Sequence, residues 1–244
     1  MQSIVLTNLY FNIPAESVKD IIAFRKPVSN IITQWKDEFC NAGLATDYFH
    51  NHDEVTNNPI NRYSLIQYHI ENEKVTMTGI NEGAEALQLF SSLLTKKDIP
   101  KDVHYKGRKN LAWKDHKVDT KKQGIRLLDT LAEYQITNWL PLDDEKYGLW
   151  KEMLSLQDRV TLLDEALLRH ISKFLTGVGI DYSVSYVAFV SNILATENKI
   201  KEYNFRKLPF TCTFRCNIAL PEGIGIGQVP SIGFGRIKRA NNEE

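Results

Sequence analysis

The stretch Glu222-Gly-Ile-Gly-Ile-Gly-Gln-Val-Pro-Ser-Ile-Gly-Phe-Gly-Arg-Ile-Lys-Arg239 organises the reading of this chain. Gly223, Gly225, Gly227, Gly233 and Gly235 alternate with Ile224, Ile226, Ile232, Phe234 and Arg236. In extended chain that period of two leaves one face without side chains, so another backbone can approach closely. Val229-Pro230-Ser231 turns the segment back, and Arg236, Lys238 and Arg239 follow. A glycine face edged with cations suits a phosphodiester backbone better than a small apolar ligand. No Gly-Lys-Ser/Thr follows, and the G-x-G-x-x-G register fails at Pro230, which excludes the usual nucleotide-binding loops. A glycine-rich hairpin closing a sheet is the structural alternative.

Upstream of the tail lie two strand-like runs, 182–194 and 207–220, joined by a charged connection at 195–206. Before them Leu149, Met153, Leu156, Val160, Leu163, Leu167, Ile171 and Phe174 recur at helical spacing. That predicts one long helix beginning at Pro141 and Asp143-Asp144 and ending at Gly177. A strand over 127–140 opens this half. In the first half, 4–11 reads as a strand, and Pro14 and Pro27 break the next stretch of chain. A helix carries Val28, Ile31, Ile32, Trp35 and Phe39, with Gly43 at its C-cap. The runs 63–70 and 74–79 form a hairpin, and Asn81 caps a helix bearing Ala84, Leu87, Phe90 and Leu94. This order predicts an α+β protein of two tandem ferredoxin-like (RRM-like) modules, 1–122 and 123–244, the second ending in the glycine-rich loop. A single larger α/β domain is the alternative.

The chain has 244 residues, enough for two modules with cores of their own. Hydrophobic content of 43% and charged content of 25% fit a globular protein rather than a disordered one. Thirty basic and thirty acidic residues balance, so the chain is not basic throughout, though patches remain open. No apolar run approaches the roughly 18 residues needed to span a bilayer, and the N-terminal Met-Gln-Ser-Ile-Val-Leu lacks a signal peptide's basic region. Cys40, Cys212 and Cys216 lack Cys-x-x-Cys spacing, which favours reduced thiols over disulfides or zinc. A cytoplasmic protein without membrane partners is expected.

Composition shifts between Lys96 and Arg126, where eleven lysines and arginines, Lys114 among them, face four aspartates. Tyr105, Trp113 and His116 lie among these cations. Such a run is either a solvated face or, with its aromatics, a surface that grips nucleic acid by charge and stacking. It is also the expected junction between modules.

Chemistry concentrates in Phe49-His50-Asn51-His52-Asp53-Glu54. In extended chain His50 and His52 share a face with Cα atoms about 6.5 Å apart. Asn51, Asn57, Asn58 and Pro59 favour a loop, where two imidazoles can flank one phosphate. One withdraws a proton from a 2′-hydroxyl and the other protonates the departing 5′-oxygen, since histidine is suited to both near neutral pH. The alternatives are a metal site that adds Asp53 or Glu54 as ligand, or two surface histidines without a role.

Phe49-His-Asn-His, Asn61-Arg-Tyr-Ser-Leu-Ile-Gln-Tyr68, Thr78-Gly-Ile-Asn-Glu-Gly-Ala-Glu85 and the glycine-rich tail together resemble a known family. It is that of the CRISPR repeat-processing endoribonucleases, the sixth Cas protein, of the RAMP superfamily. The likeness is to the branch with a His-x-His pair found with type I-B systems. The resemblance implies tandem ferredoxin-like folds and metal-free cleavage of precursor CRISPR repeat RNA, without a cofactor. The products implied are a 2′,3′-cyclic phosphate and a 5′-hydroxyl. It places His50 and His52 at the catalytic positions. The RNA-binding loop then comprises Gly223, Gly225, Gly227, Gly233 and Gly235, with Arg236, Lys238, Arg239 and Lys114 as RNA-binding cations. Lys114, Arg236 and Lys238 are the candidates for neutralising the transition-state phosphorane. A CRISPR interference complex is a further partner it implies, for a monomer or homodimer. A non-catalytic RNA-binding subunit of the same superfamily is the alternative.

Overall fold

The computed structural model describes residues 2–50, 62–100, 103–106, 113–181, 186–196 and 209–240. The chain divides into two compact units. One comprises Ile4–Gln123 with Ser231–Gly233, the other Met1–Ser3, Gly124–Pro230 and Phe234–Glu244.

The first unit runs β1 (Gln2–Pro14), α1 (Val18–Gln34), α2 (Lys36–Asn41), β2 (Ile66–Glu71), β3 (Lys74–Ile80), α3 (Glu82–Lys96) and β4 (His116–Ile125). Its sheet order is β2-β3-β1-β4, with β3 antiparallel to both neighbours. That is the ferredoxin-like arrangement expected from the order of elements. Phe11, Phe24, Phe39, Phe49, Tyr68 and Phe90 fill its core. The hairpin turn falls at Asn72 and Glu73, both at positive φ, between the paired Glu71 and Lys74.

Three expectations for this unit are corrected. Pro27 does not break the chain but sits buried inside α1. A helix-interior proline costs about 3 kcal/mol, and burial of Phe24, Val28, Ile31 and Ile32 around it holds the helix together. Asn81 precedes α3 at φ 50 but makes no side-chain cap. Its Oδ1 accepts instead from Val5 N at 3.0 Å, which ties the helix start to β1. The basic stretch holds a full edge strand, β4, which charge alone conceals.

The second unit runs β5 (Leu127–Trp139), α4 (Asp144–Glu152), α5 (Leu156–Gly177), β6 (Ala188–Thr196), β7 (Phe210–Ile218) and β8 (Arg236–Arg239). Its sheet order, β6-β7-β5-β8, repeats the first. Here the connection from β7 to β8 has no α-helix. The glycine-rich stretch, with one 3-10 turn at Pro230–Ile232, occupies the chain position of the second crossover helix. The expected long helix is two helices. Ser155 Oγ accepts from Asp158 N at 3.3 Å, a fresh N-cap that starts α5, and Leu149 of the supposed stripe is exposed. Arg159 donates to the carbonyls of Met153 and Lys151 at 2.8 and 3.1 Å, satisfying the end of α4. The core of this unit gathers Tyr134, Trp139, Phe174, Phe210, Phe214 and Phe234. All three cysteines are free thiols, and burial pushes Cys212 up to about 12 and Cys216 up to about 11.

Candidate active site and nucleic-acid interface

His50 ends a single 3-10 turn, Thr46–Phe49. The preceding Phe49 is buried between Phe39 and Phe90, each ring 5.5 Å away, and so fixes where the chain emerges. Three further bonds hold the backbone. His50 N donates to Asp47 O at 3.3 Å. Tyr68 Oη donates to Phe49 O at 3.0 Å, and Arg25 Nη2 donates to His50 O at 3.2 Å. Arg25 also lies 5.4 Å from the Tyr68 ring centre, a cation–π distance. Burial raises the Tyr68 phenol far above its ordinary range, so it stays a neutral donor. On the outer side Arg62 pairs with Asp47 at 2.7 Å and covers the Tyr48 ring at 4.8 Å.

The His50 backbone is thus fixed while the residue remains partly exposed. Such an imidazole can exchange protons with a bound substrate. His52, Asp53 and Glu54 lie outside the described residues, so the pair's mutual geometry and the alternative metal site rest on the sequence. Among the described residues no cluster of three His, Cys, Asp or Glu is arranged to hold a metal ion. Sequence reasoning misses Arg25 and Arg62. Arg62 stands inside the Asn61–Tyr68 block that carries the resemblance, whereas Arg25 has no local signal.

His116 and His170 are engaged structurally. His116 Nδ1 donates to Trp113 O at 2.7 Å, and its Nε2 lies 2.8 Å from Ser91 Oγ. Trp139 Nε1 donates to His170 Nδ1 at 3.2 Å. Tyr105 and Trp113 are 4% and 2% exposed, with Trp113 stacked on Phe24 at 5.3 Å. They are core aromatics, which corrects the expectation of bases stacking on them. Lys114 is exposed, with Asp98 4.0 Å away.

The tail is not the extended, bare-faced ribbon predicted. Gly223, Gly227, Gly233 and Gly235 all have positive φ, and the segment folds on itself. Ile226 N donates to Gly235 O and Ile237 N to Ile224 O, both at 2.9 Å. A Cβ on Gly235 would fall 1.8 Å from Ile226 O. One on Gly227 would lie 2.7 Å from the Trp139 ring, and one on Gly233 3.2 Å from Tyr68 O. Gly223 meets only Arg236, at 3.4 Å, and Gly225 bridges to Arg236. Close approach is therefore real, but at Gly227, Gly233 and Gly235 it is the chain's own atoms that approach. In β8, Arg236 and Lys238 oppose Thr137 and Gln135, whereas Arg239 opposes Tyr134. Alternation thus puts Arg236 and Lys238 on one face and Arg239 on the other.

Two family models match the chain. The Cas6b N-terminal domain covers residues 21–117 and the Cas6b C-terminal domain covers residues 126–240. This chain belongs to the Cas6b family. Solved structures agree in fold. A crystal structure of Cas6b is 19% identical with a TM-score of 0.75, spanning 98% of this chain and 100% of that one. Another, of the CRISPR RNA processing endoribonuclease Cas6b, is 16% identical with a TM-score of 0.65 over the same shares. Csf5, a type IV CRISPR-Cas Cas6 crRNA endonuclease, is 11% identical with a TM-score of 0.55, also over 98% and 100%. No curated protein sequence matches. Among the described residues of this Cas6b-family chain no helix is long and apolar enough to cross a membrane.

Proposed function

We propose that this Cas6b-family chain is a metal-independent endoribonuclease that cuts precursor CRISPR RNA within its repeats. One imidazole of the His50/His52 pair takes the proton from the 2′-hydroxyl. That oxygen attacks the adjacent phosphorus, and the bond to the 5′-oxygen breaks as the other imidazole protonates it. The products are a 2′,3′-cyclic phosphate and a 5′-hydroxyl. The observation that carries this reading is the clamping of His50's backbone by Arg25, Asp47 and Tyr68, with the residue left partly exposed. A histidine without a role needs no such support, and proximity catalysis depends on it. Gly223, Gly225, Gly227, Gly233 and Gly235 shape the loop that presents RNA-binding cations, with Arg236, Lys238 and Lys114 supplying charge and Arg239 standing on the opposite face of β8.

The test is incubation with a CRISPR repeat RNA in EDTA, for wild type and for His50→Ala and His52→Ala. Wild type should cleave. Each variant should be slower by about 10²–10⁴-fold at nearly unchanged affinity, and a 2′-deoxy scissile nucleotide should bind uncut. Cleavage restored only by a divalent ion would move the chemistry to a metal site on His50, His52 and Asp53. Wild-type rates in both variants would leave a non-catalytic RNA-binding protein.

A further inference from the structure

The first unit holds a cleft of about 500 Å³ that the proposed chemistry does not use. Tyr10, Asn12, Glu71, Lys74, Thr76 and Lys117 are among its lining residues. It forms where the β1–β3 ladder is interrupted. Tyr10 opposes Thr76 and Pro14 opposes Lys74, so four steps along β1 face two along β3. The bulge opens the sheet between two stiff walls. One wall is the hairpin turn at Asn72 and Glu73. The other is the seam where Asn12 N donates to Asp115 O at 3.1 Å and Asn12 Nδ2 to Asp115 Oδ2 at 2.7 Å.

The lining has the chemistry of a nucleotide site. Tyr10 offers a partly exposed ring on a rigid strand. Lys74 and Lys117 are exposed and make no ion pair among the described residues. The carboxylates are partly satisfied within the protein, Asp115 by Asn12 and Glu71 by His69 Nε2 at 3.4 Å. The remaining lone pairs of Asp115 suit the exocyclic amine of a base. Thr76 is 1% exposed, and its buried Oγ1 has no hydrogen-bond partner among the described residues. Such hydroxyls are rare and call for an explanation, which a ligand's polar group would supply. A cleft of this size takes a nucleotide, and its two exposed lysines offer a phosphate what an apolar peptide anchor would not use.

We infer that this cleft is a subsite for one unpaired ribonucleotide of the RNA substrate, with its base against Tyr10 and its phosphate at Lys74 and Lys117. The inference rests on the endoribonuclease reading. It adds the sheet of the first unit to an RNA interface otherwise supplied by the glycine tail's cations and Lys114.

The test uses full-length protein and repeat RNA carrying 2-aminopurine at one unpaired position at a time. One position should lose fluorescence on binding, as its base stacks. Tyr10→Leu should restore that fluorescence and weaken binding about tenfold. Lys74→Ala with Lys117→Ala, two exposed changes that spare the fold, should lower the salt slope by about 1.4. Thr76→Val should melt at higher temperature, having lost an unsatisfied hydroxyl, yet bind RNA about fivefold more weakly. Wild-type affinity, salt slope and quenching in all these variants, with cleavage intact, would overturn the subsite and leave the endonuclease standing. Wild type that neither binds nor cuts the repeat RNA overturns both.

Discussion

Arg25 and Tyr68 hold two consecutive carbonyls of one loop, Arg25 that of His50 at 3.2 Å and Tyr68 that of Phe49 at 3.0 Å. The two side chains also hold each other, guanidinium to ring centre at 5.4 Å. Arg25 lies on α1 and Tyr68 on β2, so a helix and a strand distant in sequence fix one short segment. The position of His50 is therefore a property of the folded first unit rather than of the loop alone.

Arg25→Ala should slow RNA cleavage by about tenfold, because misplacing a proton-transfer group by a fraction of an ångström is costly. Repeat-RNA affinity should change less than the rate. Arg25→Lys should recover part of the loss, since it restores a donor to the carbonyl without the planar fork that covers Tyr68. Single-turnover kinetics at saturating protein separate the two effects. A fall in affinity equal to the fall in rate would make Arg25 an RNA contact instead.

Sequence periodicity reveals both modules because each repeats a buried alternation. Leu9, Phe11 and Ile13 on β1, and Cys212, Phe214 and Cys216 on β7, are buried every second residue. It fails where polarity masks pairing. The β4 run His116–Ile125 buries only Ile125, since an edge strand can be charged on both faces. The helix break at Ser155 has a readable signal in Ser155-x-x-Asp158 that the apolar stripe overrides. At the site, His50 is visible from its spacing to His52, but the group that clamps it is not. Arg25 reaches His50 across 25 positions of chain, and only the folded unit brings them together. Alternation alone suggests that the glycines bare a face for a ligand. Gly235 shows the stricter reason, a positive φ with Ile226 O in the space a Cβ would take.

Gly235→Ala should destabilise the second unit by about 3 kcal/mol or more, through a strained φ and a displaced carbonyl. That carbonyl belongs to Ile226, whose N–H donates to Gly235 O, so the clash also breaks a ladder bond. Gly148→Ala is the control. It lies inside α4 with nothing within 4 Å of an added Cβ, and should stabilise by about 0.5–1 kcal/mol. Urea titrations of both variants give the comparison, and a neutral Gly235→Ala would mean the tail hairpin is not tightly closed.

His170 should make stability fall in mild acid. Burial, with Arg169 and Lys173 adding positive charge, lowers its pKa from 6.5 to about 3. The folded state stays neutral while the unfolded imidazole takes up a proton below its own pKa. Stability is therefore fully present above 6.5 and is lost as pH falls from there towards 3, by at most about 1.4 kcal/mol per pH unit. His170→Gln keeps an acceptor for Trp139 Nε1 and removes the ionisation. Its stability loss between about pH 7.5 and pH 5 should be smaller than wild type's by up to roughly 2 kcal/mol. Equal losses would mean that His170 charges in the folded state.

The alternation of β8 makes the last prediction specific. Arg236 and Lys238 share the face of Thr137 and Gln135, while Arg239 shares that of Tyr134. A phosphodiester backbone lying along one face would meet the first two cations together and miss the third. Arg236→Ala with Lys238→Ala should therefore weaken repeat-RNA binding and flatten its dependence on salt. The slope should drop by about 1.4 if the contacted RNA is single-stranded, or about 1.8 if it is duplex. Arg239→Ala should leave both affinity and slope near wild type. Cleavage at saturating RNA should persist with Arg239→Ala, and a loss of cleavage there in the double change would give Arg236 or Lys238 the phosphorane-neutralising role. Filter binding over a range of salt concentrations measures the slopes directly. If Arg239→Ala flattens the slope as much as the double change, the RNA does not follow the strand face, and the tail's cations act as a diffuse positive patch.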